Sequence, residues 1–157
     1  MAFAVFRSSY PLTIDEKNRL LIPAAIRKVM TAEVDGDGFY IKLGVPGQLW
    51  LYGKKYNDLL ASQQSVSMNP GLETQDFDRR NFALVDELDW DKQGRVVVPD
   101  GLLRRAGLKK DVSLIGARDH LELWDRTDWD QYQEELYAEI ATKAEKERLA
   151  RKVPTVG

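Results

Sequence analysis

The sequence predicts a mainly β fold with short helices, of the α+β class, in which two internal repeats share one core and a C-terminal helix follows. The decapeptides IDEKNRLLIP and WDKQGRVVVP, at 14–23 and 90–99, align without a gap. A short apolar run follows each polar turn, and glycine-punctuated apolar segments follow each run. Two copies are too few for a solenoid, so the pattern indicates a pseudo-two-fold pair around one core.

The boundaries follow from the repeat. We expect the first repeat over residues 6–60, a polar connector over 61–81, the second repeat over 82–126 and a C-terminal helix over 127–152. The same shift that aligns the decapeptides also aligns Phe6 with Phe82 and Leu12 with Leu88. The likeness between the repeats is therefore expected to begin upstream of the turns.

Each repeat begins with an extended segment, at 8–14 and at 82–90, that leads into a tight turn. The turns start at Asp15 and Asp91, and they place Asn18 and Gly94 at equivalent positions. These two residue types best tolerate positive φ, so a hairpin with a left-handed residue before the arginine is predicted.

The apolar runs after the turns, 20–22 and 96–98, do not alternate with polar residues. This pattern predicts strands buried on both faces, within an interleaved barrel rather than an open sheet.

The remaining elements have start and stop signals of their own. Pro23 and Pro99 are expected to open short helices, and Gly107 to end the second of them. Two further strands are predicted in each repeat, from the segments GFYIKL, QLWLY, DVSLIG and HLELW, and a short helix is expected within 71–81. Near the C-terminus an apolar stripe recurs at helical spacing, at Trp129, Tyr132, Leu136 and Ile140.

The composition excludes several classes of protein. The 157 residues include no cysteine, so disulfides, thiolate metal sites and cysteine nucleophiles are excluded. We expect a soluble cytoplasmic protein, because no basic start with a long apolar run and no stretch of membrane-spanning length occurs. The net charge is −2, so a basic surface for nucleic acid would have to be local.

Signals for catalysis are poor. The single histidine, His120, lies at the start of a predicted strand and is interpreted as a surface or turn residue. No phosphate-binding glycine loop, nucleophile elbow or histidine metal motif occurs. We therefore expect no enzyme, no cofactor, no metal site and no small-molecule substrate. An active site made of carboxylates alone, in a deep cleft, is the third alternative.

The two arginines that follow the turns allow two interpretations. Arg19 and Arg95 could each direct a guanidinium at a phosphate or a guanine edge. Alternatively, Asp15 with Arg19 and Asp91 with Arg95 could form structural clasps, which the residues alone favour. An exposed ion pair adds less than about 1 kcal/mol, so stability is a weak reason to repeat it. Two copies would suit a repetitive partner such as DNA.

These turns carry a family resemblance. DEKNR and DKQGR, each followed by an apolar run and proline, resemble the paired Asp-x-x-x-Arg motifs of the MraZ family. The likeness extends to FRSSY at 6–10, DKQGRVVVPDGLLRRAGL at 91–108 and HLELWDRTDW at 120–129. The resemblance implies the swapped-hairpin barrel of the SpoVT/AbrB class, formed by the two halves of one chain.

The resemblance also implies a function. It implies a bacterial, nucleoid-associated transcription regulator that binds short direct repeats of double-stranded DNA in the promoter of the division and cell-wall gene cluster. The family acts as a ring-shaped homo-oligomer, and no membrane is involved. The alternative, from another class, is an oligomeric scaffold or protein-binding module on the same barrel without DNA binding.

The resemblance assigns the site residue by residue. The family's DNA-contacting arginine falls on Arg19, and Arg95 occupies the same place in the second motif. Lys17 matches a turn residue of the motif, whereas a role for Arg27 in DNA binding is an electrostatic hypothesis.

The two turns are not expected to contribute equally. Lys17 has the uncharged Gln93 as its counterpart, and the acidic residues Asp86, Glu87 and Asp89 precede the second turn. We therefore expect the first turn to be the more basic and the main contact for DNA, with the second turn serving the core or a contact between subunits.

Overall fold

The computed structural model describes residues 2–64 and 67–151. The chain divides into two compact units, one ending at Asp125 and the other beginning at Arg126, and each is described by itself. Within the described ranges, no helix combines the length and the apolar character needed to cross a membrane.

Among the described residues, all the strands lie in the first unit. In chain order its first part consists of β1 Ser9–Thr13, β2 Arg19–Leu21, α1 Ala24–Val29, β3 Phe39–Leu43, β4 Gln48–Gly53 and α2 Lys54–Ser62. The second part consists of α3 Leu72–Asp78, a π-helical turn Arg79–Ala83, β5 Asp86–Leu88, β6 Arg95–Val97, α4 Asp100–Ala106, β7 Asp111–Gly116 and β8 Leu121–Asp125. This is the predicted α+β fold, dominated by antiparallel strands.

The two repeats are interleaved through their strands. Six strands form an antiparallel sheet in the order β1-β7-β8-β4-β3-β5, and β2 with β6 form a separate two-stranded ribbon. The first strand of each repeat pairs with the third strand of the other repeat. Strand β1 pairs with β7, and strand β5 pairs with β3. The ribbon and the β4–β8 pair also join the two repeats. Neither repeat therefore completes its own sheet.

One core serves both repeats. Strand β4 alternates buried and half-buried residues, so Leu49 and Leu51 face inward, as a sheet with one buried face requires. Leu20 from β2 and Val96 from β6 belong to the same cluster of buried side chains. The ribbon therefore packs on the same core as the sheet.

The prediction that β2 and β6 are buried on both faces is wrong. Leu20 is fully buried, but Leu21 is 51% exposed, and Val96 at 1% is followed by Val97 at 59%. A two-stranded ribbon has one face on the core and one face exposed. Successive side chains of the two runs therefore alternate between buried and exposed, although every residue in them is apolar.

The extended segment predicted over 82–90 is also partly wrong. The backbone is π-helical as far as Ala83, and the strand spans only Asp86–Leu88. Phe6 is buried and its amide and carbonyl pair with Arg118, whereas Phe82 is 49% exposed on the helical turn. The proposed equivalence of Phe6 and Phe82 therefore fails, while the equivalence of Leu12 and Leu88, both in first strands, is confirmed.

Several local signals are confirmed. Pro23 and Pro99 immediately precede α1 and α4, and Gly107 ends α4 with a left-handed φ of +69°. The helix predicted within 71–81 is α3. The C-terminal helix, α5, spans Arg126–Arg151, one residue earlier than predicted, and the predicted end at residue 152 lies outside the described residues.

Candidate nucleic-acid interface

Asp15 holds the first turn through its backbone and its side chain. Its amide donates to the carbonyl of Arg19 at 3.0 Å, and its carbonyl accepts from Asn18 at 3.0 Å. Its Oδ1 accepts from the amides of Lys17 at 2.9 Å and Arg19 at 2.8 Å. Asn18 has the predicted positive φ, at 60°. Asp is suited to this position because a short carboxylate can accept from the amides of the turn that follows.

Asp91 repeats these contacts in the second turn. Its amide donates to the carbonyl of Arg95 at 2.9 Å, and its carbonyl accepts from Gly94 at 3.0 Å. Its Oδ1 accepts from the amides of Gln93 at 2.8 Å and Arg95 at 3.0 Å. Gly94 has a φ of +83°. The two turns thus have the same geometry despite different sequences.

Each aspartate also binds the arginine that ends its turn. Oδ2 of Asp15 accepts from Nε of Arg19 at 2.6 Å, and Oδ2 of Asp91 accepts from Nε of Arg95 at 3.0 Å. Hydrogen bonds from the arginine's backbone amide, and then from its side chain, hold the pKa of each carboxyl below its ordinary 3.8. Both aspartates are therefore charged at neutral pH, and the predicted clasps exist.

The clasps occupy only part of each guanidinium. Within residues 2–64 and 67–151, neither Nη1 nor Nη2 of Arg19 or Arg95 donates a hydrogen bond. The two side chains are 32% and 31% exposed. The carboxylate therefore fixes each arginine at Nε and leaves its two terminal nitrogens for an acceptor outside the chain.

The ribbon brings the two arginines to one face. Arg19 lies opposite Val97, and Leu21 lies opposite Arg95. Side chains at alternate positions point to the same face of a strand, so these four residues share the exposed face while Leu20 and Val96 share the buried one. The structure therefore gathers residues that are far apart in the chain into one surface.

Each turn is fastened to the other repeat. The amide of Ile22 donates to the carbonyl of Gly94 at 2.9 Å, and the amide of Val98 donates to the carbonyl of Asn18 at 2.8 Å. These reciprocal bonds fix the position of each turn relative to the strand of the other repeat. The spacing of Arg19 and Arg95 is thereby set by backbone hydrogen bonds.

Arg27 lies beside the second turn rather than the first. Its Nε donates to the carbonyl of Ile22 at 3.0 Å, and its guanidinium covers Gly94 so closely that a β-carbon there would overlap it. The counterpart of Arg27 in α4 is the buried Leu103, so the contact occurs once. Arg27 thus supports the second turn, a role that no local sequence pattern predicts.

The expected difference in charge between the turns is not supported. Exposed Glu16 sits beside Lys17, whereas the second turn has exposed Lys92 at the position of Glu16. The first turn therefore carries two acids and two bases, and the second carries one acid and two bases.

The acidic run before the second turn is partly neutralised. Lys54, at the start of α2, forms ion pairs with both Glu87 and Asp89, and its own side chain is only 17% exposed. Two electrostatic reasons suggested that the turns contribute unequally to DNA binding: the charge of the turns themselves and the acidic run before the second turn. Both reasons are weakened by these contacts and charges.

His120 lies in the bend before β8, as the interpretation of a turn residue predicts, but it is not a simple surface residue. Its ring is 14% exposed, with Nδ1 at 2.8 Å from Asp119 and Nε2 at 2.9 Å from Glu122. Trp50 and Tyr52 of β4 lie against the ring, with centroids at 4.9 and 5.1 Å. A lone histidine carries no sequence signal for such a cluster, because Trp50 and Tyr52 come from a strand about seventy residues earlier in the chain than Asp119 and Glu122.

The charge on this histidine is favoured by its neighbours. Burial disfavours the imidazolium, but hydrogen bonds to Glu122 and Asp119 outweigh burial and raise the pKa of His120 above its ordinary 6.5. Burial also raises the pKa of Tyr52 to about 12. Over the described ranges, no three His, Asp or Glu side chains are placed to hold a metal ion.

Sequence reasoning missed three residues that shape this region, namely Leu21, Val97 and Lys54. The signal for the first two was their position two residues after an arginine, which puts both on the arginine face of a strand. No local signal marks Lys54, since its partners lie more than thirty residues away.

Known proteins resemble this chain in sequence. The family model described as "MraZ protein, putative antitoxin-like" matches residues 82–152. A protein of Heliobacterium modesticaldum named transcriptional regulator MraZ is 34% identical over 88% of this chain and 96% of its own length. Proteins of the same name from Limosilactobacillus fermentum and Treponema denticola are 35% and 33% identical, over 83% and 87% of this chain and 87% and 92% of their own lengths.

The two clasped turns and the interleaved sheet therefore belong to a transcriptional regulator and not to an enzyme. Identity above 30% runs through both repeats and covers most of each relative. The chain belongs to the MraZ family.

Proposed function

We propose that this regulator binds double-stranded DNA through its two Asp-x-x-x-Arg turns. The observation that carries the proposal is that Asp15 and Asp91 bind the guanidinium groups of their arginines at Nε alone. A guanidinium fixed in this way can offer its remaining donors to a phosphate or to the O6 and N7 atoms of guanine. The clasp therefore pre-orients the arginine, which reduces the entropy lost when it binds.

Neighbouring residues support the two arginines. Lys17 and Lys92 are exposed at the tips of the turns and would neutralise phosphates nearby. Arg27 would act mainly by holding the Gly94 turn in place, and its terminal nitrogens would add positive charge beside that turn. We propose that both turns bind DNA together, because the difference in charge between them is too small to prevent the second turn from binding.

The proposed target is a set of short direct repeats in the promoter of the division and cell-wall gene cluster, and the proposed location is the bacterial nucleoid. The support is membership of the MraZ family, whose members are named transcriptional regulators. Both Asp-x-x-x-Arg motifs of this chain resemble the family's motifs and occur in the same order. Two such turns suit a target made of repeated sites, which a single turn would not explain.

A ring-shaped homo-oligomer is the proposed active form. Its support lies in the exposed apolar side chains of α5, which include Tyr137, Ile140 and Leu149. Closing a ring would multiply weak contacts at the turns into useful affinity for repeated sites. A monomer in light scattering, at the concentration at which DNA is bound, would contradict this part of the proposal.

The test is charge reversal at each arginine. Arg19→Glu and Arg95→Glu are compared with wild type for binding to the DNA upstream of the protein's own gene, between about 50 and 200 mM salt. Each reversal should weaken binding by at least about tenfold and reduce the steepness of the salt dependence, because guanidinium contacts to phosphate or guanine are lost. Arg79→Glu is the control, because Arg79 is an exposed arginine paired with Asp76 away from the turns.

Three outcomes would argue against the proposal. Absence of DNA affinity at low salt would favour an oligomeric scaffold or protein-binding module. An equal loss from Arg79→Glu would show that net charge alone matters. A loss from Arg19→Glu without any from Arg95→Glu would restore the unequal turns that the sequence suggested.

A further inference from the structure

The outer face of the ribbon carries two exposed apolar side chains beside its two arginines. Leu21 and Val97 are 51% and 59% exposed, although valine and leucine in the same two strands are otherwise buried. The register places Val97 directly opposite Arg19 and Leu21 directly opposite Arg95. Directly opposite side chains in a β pair lie about 5 Å apart, so each guanidinium has an apolar neighbour.

The size of this apolar surface argues against a protein partner. A stable protein interface buries roughly 800 Å² on each side and involves about twenty residues or more. Here two apolar side chains stand beside two guanidinium groups whose terminal nitrogens have no acceptor within the described residues. The matching surface must therefore offer strong hydrogen-bond acceptors and small apolar points close together.

The major groove of DNA has this chemistry. It presents phosphates and guanine O6 and N7 as acceptors, and the C5-methyl of thymine is its apolar point. Its width also admits a two-stranded β ribbon. Arg19 and Leu21 are two residues apart on one strand, and so are Arg95 and Val97 on the other, a distance of about 6.8 Å. This is about two base-pair steps of roughly 3.4 Å each.

We propose that Leu21 and Val97 are specificity-determining residues that contact thymine methyl groups in the major groove. The inference rests on the proposed function, because it requires the ribbon to bind DNA. It goes beyond the arginine contacts by assigning sequence preference to the apolar pair. Each contacted thymine should lie about two base pairs from the base or phosphate bound by the arginine of the same strand.

The test removes the methyl group from the DNA and the apolar side chains from the protein. The probe is a duplex selected from a random library by the wild-type protein, together with the same duplex carrying deoxyuridine for every thymidine. Wild type should bind the uracil duplex about threefold to tenfold more weakly, as expected when one or two methyl contacts are lost. The double variant Leu21→Ser with Val97→Ser should bind both duplexes equally, with the salt dependence of wild type, because its arginines are intact.

The control is Leu43→Ser, which removes an exposed apolar side chain from β3 of the sheet. This variant should keep the wild-type preference for thymine. Circular dichroism of the double variant should match wild type, because neither replaced side chain is buried.

The remaining outcomes overturn the inference. It fails if the double variant still distinguishes thymine from uracil, or if the selected site lacks thymine at the expected spacing. It also fails if the double variant forms a smaller oligomer while its discrimination is unchanged, since the pair would then serve a contact between copies. Failure of the proposed function looks different, because the wild-type protein would then select no duplex even at low salt.

Discussion

At the scale of single residues, Asp15 and Asp91 show that a clasp can leave part of a guanidinium unoccupied within the described residues. Each carboxylate accepts two backbone amides with one oxygen and an arginine Nε with the other. The same carboxylate thus shapes the turn and orients the arginine. The sequence posed a choice between a DNA contact and a structural clasp; the structure contains the clasp, and the proposed DNA contact would use the nitrogens that the clasp does not bind.

The positive φ values at Asn18 and Gly94 were predictable, whereas the contact over Gly94 was not. Only a few residue types adopt a left-handed backbone at low cost, so the turn could be predicted from local sequence. The contact with Arg27 depends on where α1 lies relative to the turn of the other repeat. Such placement is a tertiary property with no local signature.

Replacing Gly94 with alanine should destabilise the protein. The β-carbon is unfavourable at a φ of +83°, and it would displace the Arg27 guanidinium from its hydrogen bond to Ile22. We expect the free energy of unfolding to fall by about 1–3 kcal/mol, measured by urea denaturation.

Asn18→Gly is the matched control at the equivalent position of the first turn. It relieves a left-handed non-glycine residue and should change the free energy of unfolding by less than about 1 kcal/mol. A loss from Asn18→Gly as large as that from Gly94→Ala would contradict the importance of the Arg27 contact.

At the scale of elements, the strands and turns could be predicted but not the exposure of the ribbon. The runs RLL and RVV are too short for a period of two to appear when both faces carry apolar residues. Burial was decided by the fold, which gives β2 and β6 only each other as partners. The π-helical turn before β5 could not be predicted either, because the sequence does not distinguish the exposed Phe82 from the buried Phe6.

The β4–β8 pair should contribute a pH-dependent stability through His120. Hydrogen bonds to Glu122 and Asp119 raise the pKa of His120 in the folded protein above 6.5, so folding favours the charged ring. This stabilisation is fully present below pH 6.5 and is lost as the pH rises through the folded-state pKa. We expect the free energy of unfolding of wild type to fall, relative to that of His120→Gln, as the pH rises above 6.5.

Urea denaturation at several pH values provides the measurement, and NMR titration of this histidine, the only one in the chain, provides a direct check. A titration midpoint at or below 6.5 would contradict the charge stabilisation. The neighbouring carboxyls of Glu122 and Asp119 have lowered pKa values, so their contributions are lost only in acid and do not overlap this pH window.

At the scale of the whole molecule, the two repeats form one folding unit. Four strand pairings join one repeat to the other: β1–β7, β2–β6, β3–β5 and β4–β8. The sequence predicted two repeats around one core because the turns align, but the partners of each strand became visible only in the sheet order. Pairing is a long-range property, and short apolar segments do not specify their partners.

Separating the repeats should therefore abolish folding of both. Fragments 2–69 and 70–151, cut within the polar connector, are each expected to lack the antiparallel sheet in circular dichroism. Each would expose apolar surface and unpaired strand edges that the other repeat normally covers. Mixing the fragments in equal amounts should recover the far-ultraviolet spectrum of the intact protein, measured at several concentrations because association is bimolecular.

A first fragment that folded alone as a monomer would contradict this prediction. A first fragment that folded only as a dimer would contradict the expected loss of the sheet but not the dependence of one repeat on another, since a second copy would then supply the missing strands. Analytical ultracentrifugation distinguishes the two cases.

The reciprocal backbone hydrogen bonds of the two turns also bear on the orientation of the DNA sites that the protein would prefer. Two identical hairpins on separate chains would be related by true symmetry and would suit a palindrome. Here one chain carries Glu16 and Lys17 at one tip and Lys92 and Gln93 at the other, held at a fixed spacing by the bonds of Ile22 and Val98. In the proposed complex, such a protein would present two different ends along the DNA axis. We expect its preferred sites to be oriented, so that inverting one site within an array should weaken binding to the whole array.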